Sequence, residues 1–575
     1  MKKIFLIIHF SCCCLLMHTV QAQQDNYIIK GIILEVDSIP LRDASVRLQL
    51  SNTQSISGQN GYFTIVSRFR NDTLLVKYIG YAEQRIPVNS NTLFPIIVRL
   101  TGKTQPLQEV VVETGYQSLL KERSTGSFTQ INNQLYNQQV GTSVLGRLDG
   151  ITNGLTVDKK RASAYATGIM VRGLSTIGGP KDPLIVLDNF PYDGDLNNIN
   201  PNDVESITIL KDAAAASIWG TRAGNGVIVI TTRKGHYNQP VTIDLTSNIS
   251  VTAKPDIWYT RPISSSDYID VEQLLYAKGF YNSSINSRFK PSLSPVIELL
   301  IKKNNGQLTP AVVDERINAL RNIDARTDFD KYVYRSSVNK QYALTMRGGT
   351  NAVTWFLSGG YDHNLSELSA KYQRITLHSE NTFHLNNHFQ VSAGLYFIQN
   401  NNESGQNGYG MITSCNGASL YPYAMLGDNN GNALPVIRNY RQVYLDTVGQ
   451  GKLLDWKYYP LDDYKHIMNT VKKYDLLASL KLNYRINKSW MAELQYRYEN
   501  QRTTGQILYD PQSFYARDII NSFTQLNYTT GQVTYKVPKG GILDNSNSLL
   551  ETHNSRAQLN YTNTWQQHQL TGVAG

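Results

Sequence analysis

Beyond residue 238 the chain is dominated by a strict alternation of apolar and polar positions. In the clearest stretch, 389–397, the odd positions are apolar and the even positions hold Gln390, Ser392, Gly394 and Tyr396. The pattern returns at 476–486 and 490–498. A period of two predicts β-strands with one apolar and one polar face. Such strands are typical of a barrel that shows one face to lipid and the other to a polar lumen.

The connections between these strands alternate between short and long. We predict about nine antiparallel strands, at 241–252, 341–348, 353–362, 373–384, 388–399, 473–485, 489–501, 555–565 and 569 onward. Tight turns lie at 349–351, 385–387, 487–488 and 566–568, and longer connections at 253–340, 363–372, 400–472 and 502–554. Outer-membrane barrels have short periplasmic turns and long external loops, so this asymmetry predicts which end of the strands faces outward.

The predicted strand count is low for a large outer-membrane barrel. Barrels with a filled lumen have up to about 22 strands, and a sheet edge left open in lipid would carry unpaired backbone groups. We therefore expect an incomplete transmembrane β-barrel, from a fragment or a truncated gene product.

Three other patterns precede the barrel, which we assign to 238–575. Residues 23–100 hold short alternating strands between turns, with a hairpin signal at Asn60-Gly61, and predict a small β-sandwich. Residues 101–126 predict a flexible linker with one strand-forming segment. Residues 127–237 predict a mixed α+β domain, with strands at 169–172, 184–187, 206–210 and 227–232 and helices at 143–148 and 212–219.

The N-terminus has the features of an export signal. Lys2 and Lys3 precede an apolar run, and Val20 and Ala22 provide small residues before a cleavage site. The run is shorter than the ~20 apolar residues that span a bilayer. We predict a signal peptide at 1–22 and a mature protein that begins at Gln23.

Composition narrows the function classes. The chain has 36 tyrosines and 17% charged residues, which suits the aromatic girdles of an outer-membrane barrel. Its net charge of +10 is spread along the chain, so we expect no nucleic-acid partner. Tyrosines of the long connections, such as Tyr409 and Tyr421, fit either sugar stacking or interfacial packing.

Catalytic and metal-binding motifs are scarce. Three of the four cysteines lie in the predicted signal, which leaves Cys415 alone, without a partner for a disulfide or a metal cluster. No His-Glu-x-x-His zinc motif occurs. We expect neither enzymatic activity, nor a cofactor, nor a bound metal. A nucleophilic Cys415 stays open, as does a soluble enzyme.

The predicted linker carries a run of β-branched residues. Its segment 107–116 reads Leu-Gln-Glu-Val-Val-Val-Glu-Thr-Gly-Tyr. β-branched residues in a flexible segment suit strand addition to a partner, although an ordinary linker strand has the same pattern. The segment resembles the TonB box of SusC-like transporters, from which it departs at Glu113. The candidate residues are Glu109, Val110, Val111, Val112, Thr114 and Gly115.

A longer set of motifs follows in the α+β domain. It includes Val-Arg-Gly-Leu-Ser at 171–175, Leu-Asp-Asn-Phe-Pro at 187–191 and Asn-Pro-Asn-Asp-Val-Glu at 200–205. It continues with Lys211-Asp212 and ends in Trp-Gly-Thr-Arg-Ala-Gly-Asn-Gly at 219–226. Together these motifs resemble the plug of SusC/RagA-like TonB-dependent transporters. The candidate residues are Arg172, Gly173, Asp188, Pro191, Asn200, Pro201, Asp203, Glu205, Lys211, Asp212, Gly220, Arg222 and Gly226.

Physical chemistry assigns most of these residues architectural roles. Asn200-Pro201 predicts the start of a short helix, and Asp212 a helix cap. Gly224 and Gly226 predict a turn into the last strand. Asn189 stands where the family usually has glycine, and Asn tolerates positive φ. We expect the plug charges to pair with a polar barrel wall, and ion pairs inside the plug stay open as the alternative. These charges are Arg172, Asp188, Glu205, Lys211, Asp212 and Arg222.

The sandwich also resembles a known domain. Pro40-Leu41, Ala44-Ser45-Val46, Gly61-Tyr62-Phe63 and Tyr78-Ile79-Gly80-Tyr81 are similar to the carboxypeptidase-regulatory-like domain, a transthyretin-like sandwich. That resemblance implies no peptidase activity.

The family resemblance implies TonB-dependent import of oligosaccharides or peptides across the outer membrane, with plug and sandwich on the periplasmic side. It implies TonB, energised by ExbB and ExbD, and a SusD-like lipoprotein as partners, in contact with outer-membrane lipid. Two alternatives stay open. One is uptake of a siderophore or cobalamin, and the other is a surface-binding or scaffold protein that does not transport.

Overall fold

The computed structural model describes residues 26–35, 39–102, 111–116, 118–120, 126–158, 168–173, 181–212, 216–414, 417–566 and 568–575. The predicted signal peptide, Cys415, and Glu109 and Val110 of the predicted TonB box lie outside the described residues. The chain divides into two compact units, Met1–Val110 and Val111–Gly575.

The first unit is the predicted β-sandwich. Its strands are β1 (Tyr27–Glu35), β2 (Ser45–Leu48), β3 (Gln54–Ile56), β4 (Tyr62–Ser67), β5 (Asp72–Lys77), β6 (Gln84–Val88) and β7 (Ile96–Leu100). They form two sheets, in the orders β4-β1-β7 and β3-β2-β5-β6. Alternate residues of both sheets share one buried core, which includes Ile33, Val46 and Leu74. The alternation extends to Leu50, but β2 ends at Leu48, because the Leu50 N–H donates to Asp72 Oδ1 (2.8 Å).

The second unit begins with a short hairpin and a mixed sheet. Its strands are β8 (Val111–Glu113), β9 (Ser118–Leu120), β10 (Phe128–Asn132), β11 (Leu155–Val157), β12 (Ile169–Val171), β13 (Leu184–Leu187), β14 (Phe190–Pro191), β15 (Val204–Leu210) and β16 (Val227–Thr232). Strand β8 pairs with β9, β11 pairs with β12, and the others form a sheet of order β10-β15-β16-β13-β14. We call residues 127–237 the plug. Strands β12, β13, β15 and β16 confirm the four predicted strands.

Short helical segments connect the plug strands. They are the α-helices Asn133–Tyr136 and Val144–Leu148 and the 3₁₀ segments Leu196–Asn198, Pro201–Asp203 and Ser217–Ala223. The helix predicted at 143–148 is confirmed. The prediction of a helix ending at 219 was wrong at that end, because helical turns continue to Ala223 across a kink at Gly220 (φ 61°). Residues 213–215, at its start, lie outside the described residues.

The remainder of the chain is built on a nine-stranded antiparallel sheet in sequence order. Its strands are β17 (Thr242–Thr252), β18 (Ser337–Gly349), β19 (Val353–Leu365), β20 (Lys371–His384), β21 (Phe389–Glu403), β22 (Ile467–Arg485), β23 (Trp490–Tyr509), β26 (Ile542–Trp565) and β27 (His568–Ala574). We call this sheet the wall. It confirms the predicted strands, and a separate hairpin is formed by β24 (Thr524–Leu526) and β25 (Val533–Tyr535).

The wall strands extend further toward the long connections than predicted. Strand β22 begins at Ile467 rather than 473, and β26 begins at Ile542 rather than 555. The backbone hydrogen-bonding groups of these extra residues pair with β23, up to the pair Tyr509–Ile542. Polar side chains at 544–548 interrupt the alternation, so the pattern underestimated these strands.

The wall has the predicted difference between its faces. Leu377, Leu395 and Leu494 are about half exposed on one face, whereas Tyr396 and Ile398 on the other face join the buried core of the plug. Alternation therefore produces an apolar outer face and a face that packs on the plug.

The long connections fold into helices of their own. These are Ser265–Ala277, Asn282–Asn286, Pro295–Asn304, Pro310–Arg321, Ala325–Asp328, the π-helix Phe329–Val333, Gln442–Thr447, Val448–Gly451, Pro460–Asp463, Tyr464–His466 and Phe514–Ser522. Ser264, Ser294 and Ser513 cap three of them by accepting backbone N–H groups. Among the residues that the structure describes, no helix is both long and apolar enough to cross a membrane.

Candidate functional site

One set of plug–wall contacts uses the backbone of the plug. Arg374 on β20 is fully buried and ion-pairs with Asp362 Oδ2 (2.7 Å). Its guanidinium also donates to the carbonyl oxygens of Thr142 (2.8 Å) and Ile199 (3.3 Å) and to that of Asn197. A guanidinium offers five donors in a rigid fork, so one side chain joins two separate plug segments to the wall.

Two further wall arginines repeat this arrangement. Arg497 on β23 donates to the Leu187 carbonyl (2.7 Å) and lies over the Phe190 ring. Arg556 on β26 donates to the carbonyls of Gly115 (2.9 Å) and Asn189 (3.3 Å). The wall therefore contacts the hairpin β13–β14 at Leu187, the last residue of β13, and at Asn189 in the turn.

Amides and hydroxyls supply a second set of contacts around 192–200. Asn198 Nδ2 and the Tyr192 hydroxyl both donate to Asp475 Oδ2, at 2.9 and 3.3 Å. The Asn200 N–H donates to the Tyr396 hydroxyl (2.7 Å). Asn198 and Tyr192 were not among the predicted site residues. The density of asparagines in Asn-Asn-Ile-Asn-Pro-Asn at 197–202 was the available signal.

The predicted short helix at Asn200-Pro201 is confirmed. Pro201 occupies the first turn of the 3₁₀ segment Pro201–Asp203, and Asn200 Oδ1 accepts the Asn202 N–H. The next candidate, Asp203, is fully buried beneath the wall, with its Oδ2 3.9 Å from His378 Nδ1. Burial raises the pKa of the Asp203 carboxyl above its usual range, and His378 partly opposes that rise.

The turn at Asp188-Asn189 shows why asparagine is tolerated at position 189, where the family usually has glycine. Both residues have positive φ, 45° and 73°, which suits a two-residue hairpin turn between β13 and β14. Pro191 pairs with Val186 in that hairpin. Asp188 accepts the N–H and the hydroxyl of Thr232. Burial raises the pKa of the Asp188 carboxyl, but Lys234 and the Thr232 N–H outweigh burial and hold that pKa below its usual range.

The expectation that the plug charges pair with the wall was wrong for several of them. Arg222 pairs with Asp193 and Glu205 with Arg233, and all four residues belong to the plug. The others also have partners in the plug: Arg172 donates to Ser127, Lys211 donates to Asn153, and Asp212 accepts the Ser127 N–H. The predicted cap at Asp212 involves residues outside the described part. A charged plug residue outside this set, Asp195, does pair with the wall, through Lys473, and backbone carbonyls and side-chain amides supply further plug–wall contacts.

The glycines of the predicted plug motifs have unequal roles. Gly226 has φ +87°, and a Cβ there would lie 3.0 Å from the Val171 side chain, so the turn into β16 requires it. Gly224 has an ordinary φ of −58°, so the role predicted for it was wrong. Gly173 (φ +93°) is the second residue after β12.

The end of the predicted TonB box is anchored at the junction of plug and wall. Its residues Val111 and Val112 lie in β8. The Thr114 carbonyl accepts from Trp219 Nε1 (3.0 Å), and the Gly115 carbonyl accepts from Arg556. The Tyr116 ring lies between Trp219 and Arg556, with centroid distances of 4.5 Å to the indole and 4.7 Å to the guanidinium carbon. We call Trp219, Arg556 and residues 114–116 the junction.

Comparison with known proteins identifies two domains of the chain, the plug and the sandwich. Residues 121–227 match the TonB-dependent receptor plug domain, and residues 29–112 match the CarboxypepD_reg-like domain. The TonB-dependent receptor SusC of Bacteroides thetaiotaomicron is 26% identical over 62% of this chain and 32% of its own length. The TonB-dependent receptor P26 of Formosa agariphila is 34% identical over 36% of this chain and 21% of its own length.

Solved structures agree on the fold. The RagAB peptide importer in its open-open state has a TM-score of 0.58 and 17% identity, covering 81% of this chain and 48% of that chain. The chain thus spans less than half the length of each of these relatives. The plug, the sandwich and the antiparallel wall define a TonB-dependent receptor. Within that class the chain is similar to the SusC/RagA-like receptors, which confirms the resemblance drawn from its motifs.

Proposed function

We propose that this chain acts in TonB-dependent import of oligosaccharides or peptides across the outer membrane. A ligand binds on the side of the long connections, TonB engages the box at Glu109–Gly115, and force on the box remodels the plug. The observation that supports this proposal most directly is the junction. Because the Thr114 and Gly115 carbonyls bond Trp219 of the plug and Arg556 of the wall, and Arg556 also bonds Asn189 of the plug, tension on the box reaches a residue that joins plug and wall.

The proposal includes an organisation and a set of partners. The sandwich occupies 23–100, the linker with the TonB box 101–126, the plug 127–237 and the barrel strands 238–575. Plug and sandwich face the periplasm, where TonB acts with ExbB and ExbD. A SusD-like lipoprotein covers the long connections. Similarity to SusC and to the RagAB fold supports these assignments, and no step requires bond chemistry in the receptor.

A proline scan of 109–112 in the full receptor tests the TonB box. Proline removes the N–H that strand addition needs, so at least one variant should lose about tenfold in affinity for the soluble domain of TonB, as expected for about one lost hydrogen bond. A threonine scan of the same positions is the matched control, because threonine keeps both the N–H and the β-branch. Unchanged affinity across the proline scan would contradict the proposal.

A further inference from the structure

A polar cleft of about 330 Å³ lies between the plug and the wall, at the end that carries the long connections. Its wall side comes from the outer parts of β19 to β22, and consists of Asn364, Tyr372, Asn400, Asn402 and Lys473. The volume is at the lower end of the roughly 300–1,000 Å³ typical of small-molecule sites. The cleft can therefore hold a short part of a longer chain molecule.

The plug supplies the floor of the cleft. Thr142, Ser143, Asp195 and Asn197 line it. Asp195 and Lys473 are the charged residues of the lining and form an ion pair with each other, so the lining carries no uncompensated charge. The lining includes no aliphatic side chain. A ligand that suits this surface is itself neutral and rich in hydrogen-bonding groups.

Two side-chain oxygens of the cleft lack a hydrogen bond. Asn364 Nδ2 donates to Thr142 Oγ1 (3.0 Å) and Asn400 Nδ2 donates to Asn198 Oδ1 (3.1 Å). Among the described residues, neither Asn364 Oδ1 nor Asn400 Oδ1 has a partner, although both atoms are buried. Asn400 itself is only 3% exposed. Both oxygens are closed off as the side chains stand, so a donor on a ligand reaches them when the side chain rotates. Because a buried acceptor without a partner is costly, the new hydrogen bond would offset that rotation.

We propose that this cleft binds a neutral saccharide segment. A sugar hydroxyl donates one hydrogen bond and accepts others, which matches a lining of side-chain amides and hydroxyls. A peptide would bring apolar side chains and charges, for which the cleft has neither apolar walls nor a free ion. The assignment rests on the proposed function and selects oligosaccharides from its two ligand classes.

The cleft also touches the segments by which the wall holds the plug. Arg374 donates to the carbonyls of Thr142 and Asn197, and both residues line the cleft. Ser143 Oγ bonds Asn197 Oδ1 (3.0 Å) across the floor. A saccharide in the cleft therefore contacts wall and plug together, next to the bonds that must open for passage.

Binding of the purified full receptor to an array of neutral glycans, acidic glycans and peptides tests the assignment. We expect neutral glycans to bind, and Asn402→Leu to weaken the best of them about tenfold or more, as for loss of one polar contact. Asn401→Leu is the matched control, because residue 401 lies on the opposite face of β21. Its affinity should equal that of the unmodified receptor.

A second variant tests the charge argument. Asp195→Asn keeps an acceptor for the Asn197 N–H but leaves Lys473 uncompensated, so acidic glycans should gain affinity over neutral ones. The assignment would be overturned if the receptor bound only peptides or acidic glycans, or bound no glycan. It would also be overturned if Asn402→Leu left the affinity for the neutral glycan unchanged. TonB-dependent uptake that persists in any of these cases would leave the transport proposal standing. Glycan binding without TonB-dependent uptake would overturn only the transport proposal.

Discussion

At the scale of single residues, three wall arginines bind the backbone of the plug. Arg374, Arg497 and Arg556 all donate to main-chain carbonyl oxygens. Arginine suits this role because its guanidinium stays charged and presents several donors in one plane. Every plug residue has a carbonyl, so these contacts impose no particular side chain on the plug. These three attachments are thus determined by the wall side chains and the plug backbone.

Replacement of Arg374 tests this attachment. Arg374→Met leaves Asp362 buried without its cation, and breaking a buried ion pair from one side costs about 3–5 kcal/mol. We expect a clear shift of the guanidinium-induced unfolding transition to lower denaturant. Lys371→Met, three residues away on the same strand, removes an exposed pair with Glu403 that is worth about 0–1 kcal/mol. Coincident transitions for the two variants would contradict the role of Arg374.

At the scale of elements, the junction joins three parts that are distant in sequence. Residues 114–116 lie between the hairpin strands β8 and β9, Trp219 comes from the segment Ser217–Ala223, and Arg556 comes from β26. Arg556 and Gly115 are separated by 441 residues. The element that TonB is proposed to pull is therefore held both by the plug and by strand β26 of the wall.

Release of the junction should expose the end of the box, where Thr114 is buried. In a receptor that carries Thr114→Cys and Cys415→Ser, the further change Arg556→Gln removes the charged donor to the Gly115 carbonyl, a bond worth about 1.5–3 kcal/mol. Maleimide labelling of the thiol introduced at position 114 should accelerate about tenfold or more, since each 1.4 kcal/mol is about tenfold. Arg485→Gln in the same background is the control, because Arg485 is an exposed residue at the short-turn end of β22. Equal labelling rates in all three receptors would argue against the junction.

At the scale of the whole molecule, the central strands of the wall separate two environments. Odd positions of β21 such as Leu395 are exposed, and even positions such as Tyr396 contact the plug. Backbone pairing is continuous from β17 to β27, as a hydrocarbon surrounding demands of every polar backbone group. The exposed apolar face is thus the surface expected to meet lipid.

A charge on that face should impair assembly in the membrane. Leu395→Arg places a cation in the middle of β21, where the cost is about 2–4 kcal/mol at the bilayer midplane. We expect less receptor in the outer-membrane fraction and loss of heat-modifiable migration in gels. Met468→Arg changes an exposed residue at the outer end of β22, where the cost falls to about 0–1 kcal/mol. Similar amounts of both variants would contradict the assigned lipid face.

The sequence predicted the elements better than the contacts between them. Strands β19 and β20 follow their alternation closely because burial on one face imposes a local period. Strands β22 and β26 were underestimated where polar residues continue beyond the alternating part. Arg222 and Glu205 were expected at the wall and pair inside the plug. Their charge was visible in the sequence, but the direction of each side chain was not.

By itself, the sequence determined the order of sandwich, linker, plug and wall strands, because periodicity and turn residues act over a few neighbours. It also determined the positive-φ turn at Asp188-Asn189, since asparagine tolerates that conformation. Only the tertiary structure decided that Asn198 meets Asp475 and that Arg556 meets Gly115. Those contacts depend on how the plug packs against the wall, and residues hundreds of positions apart leave no local pattern from which the packing could be derived.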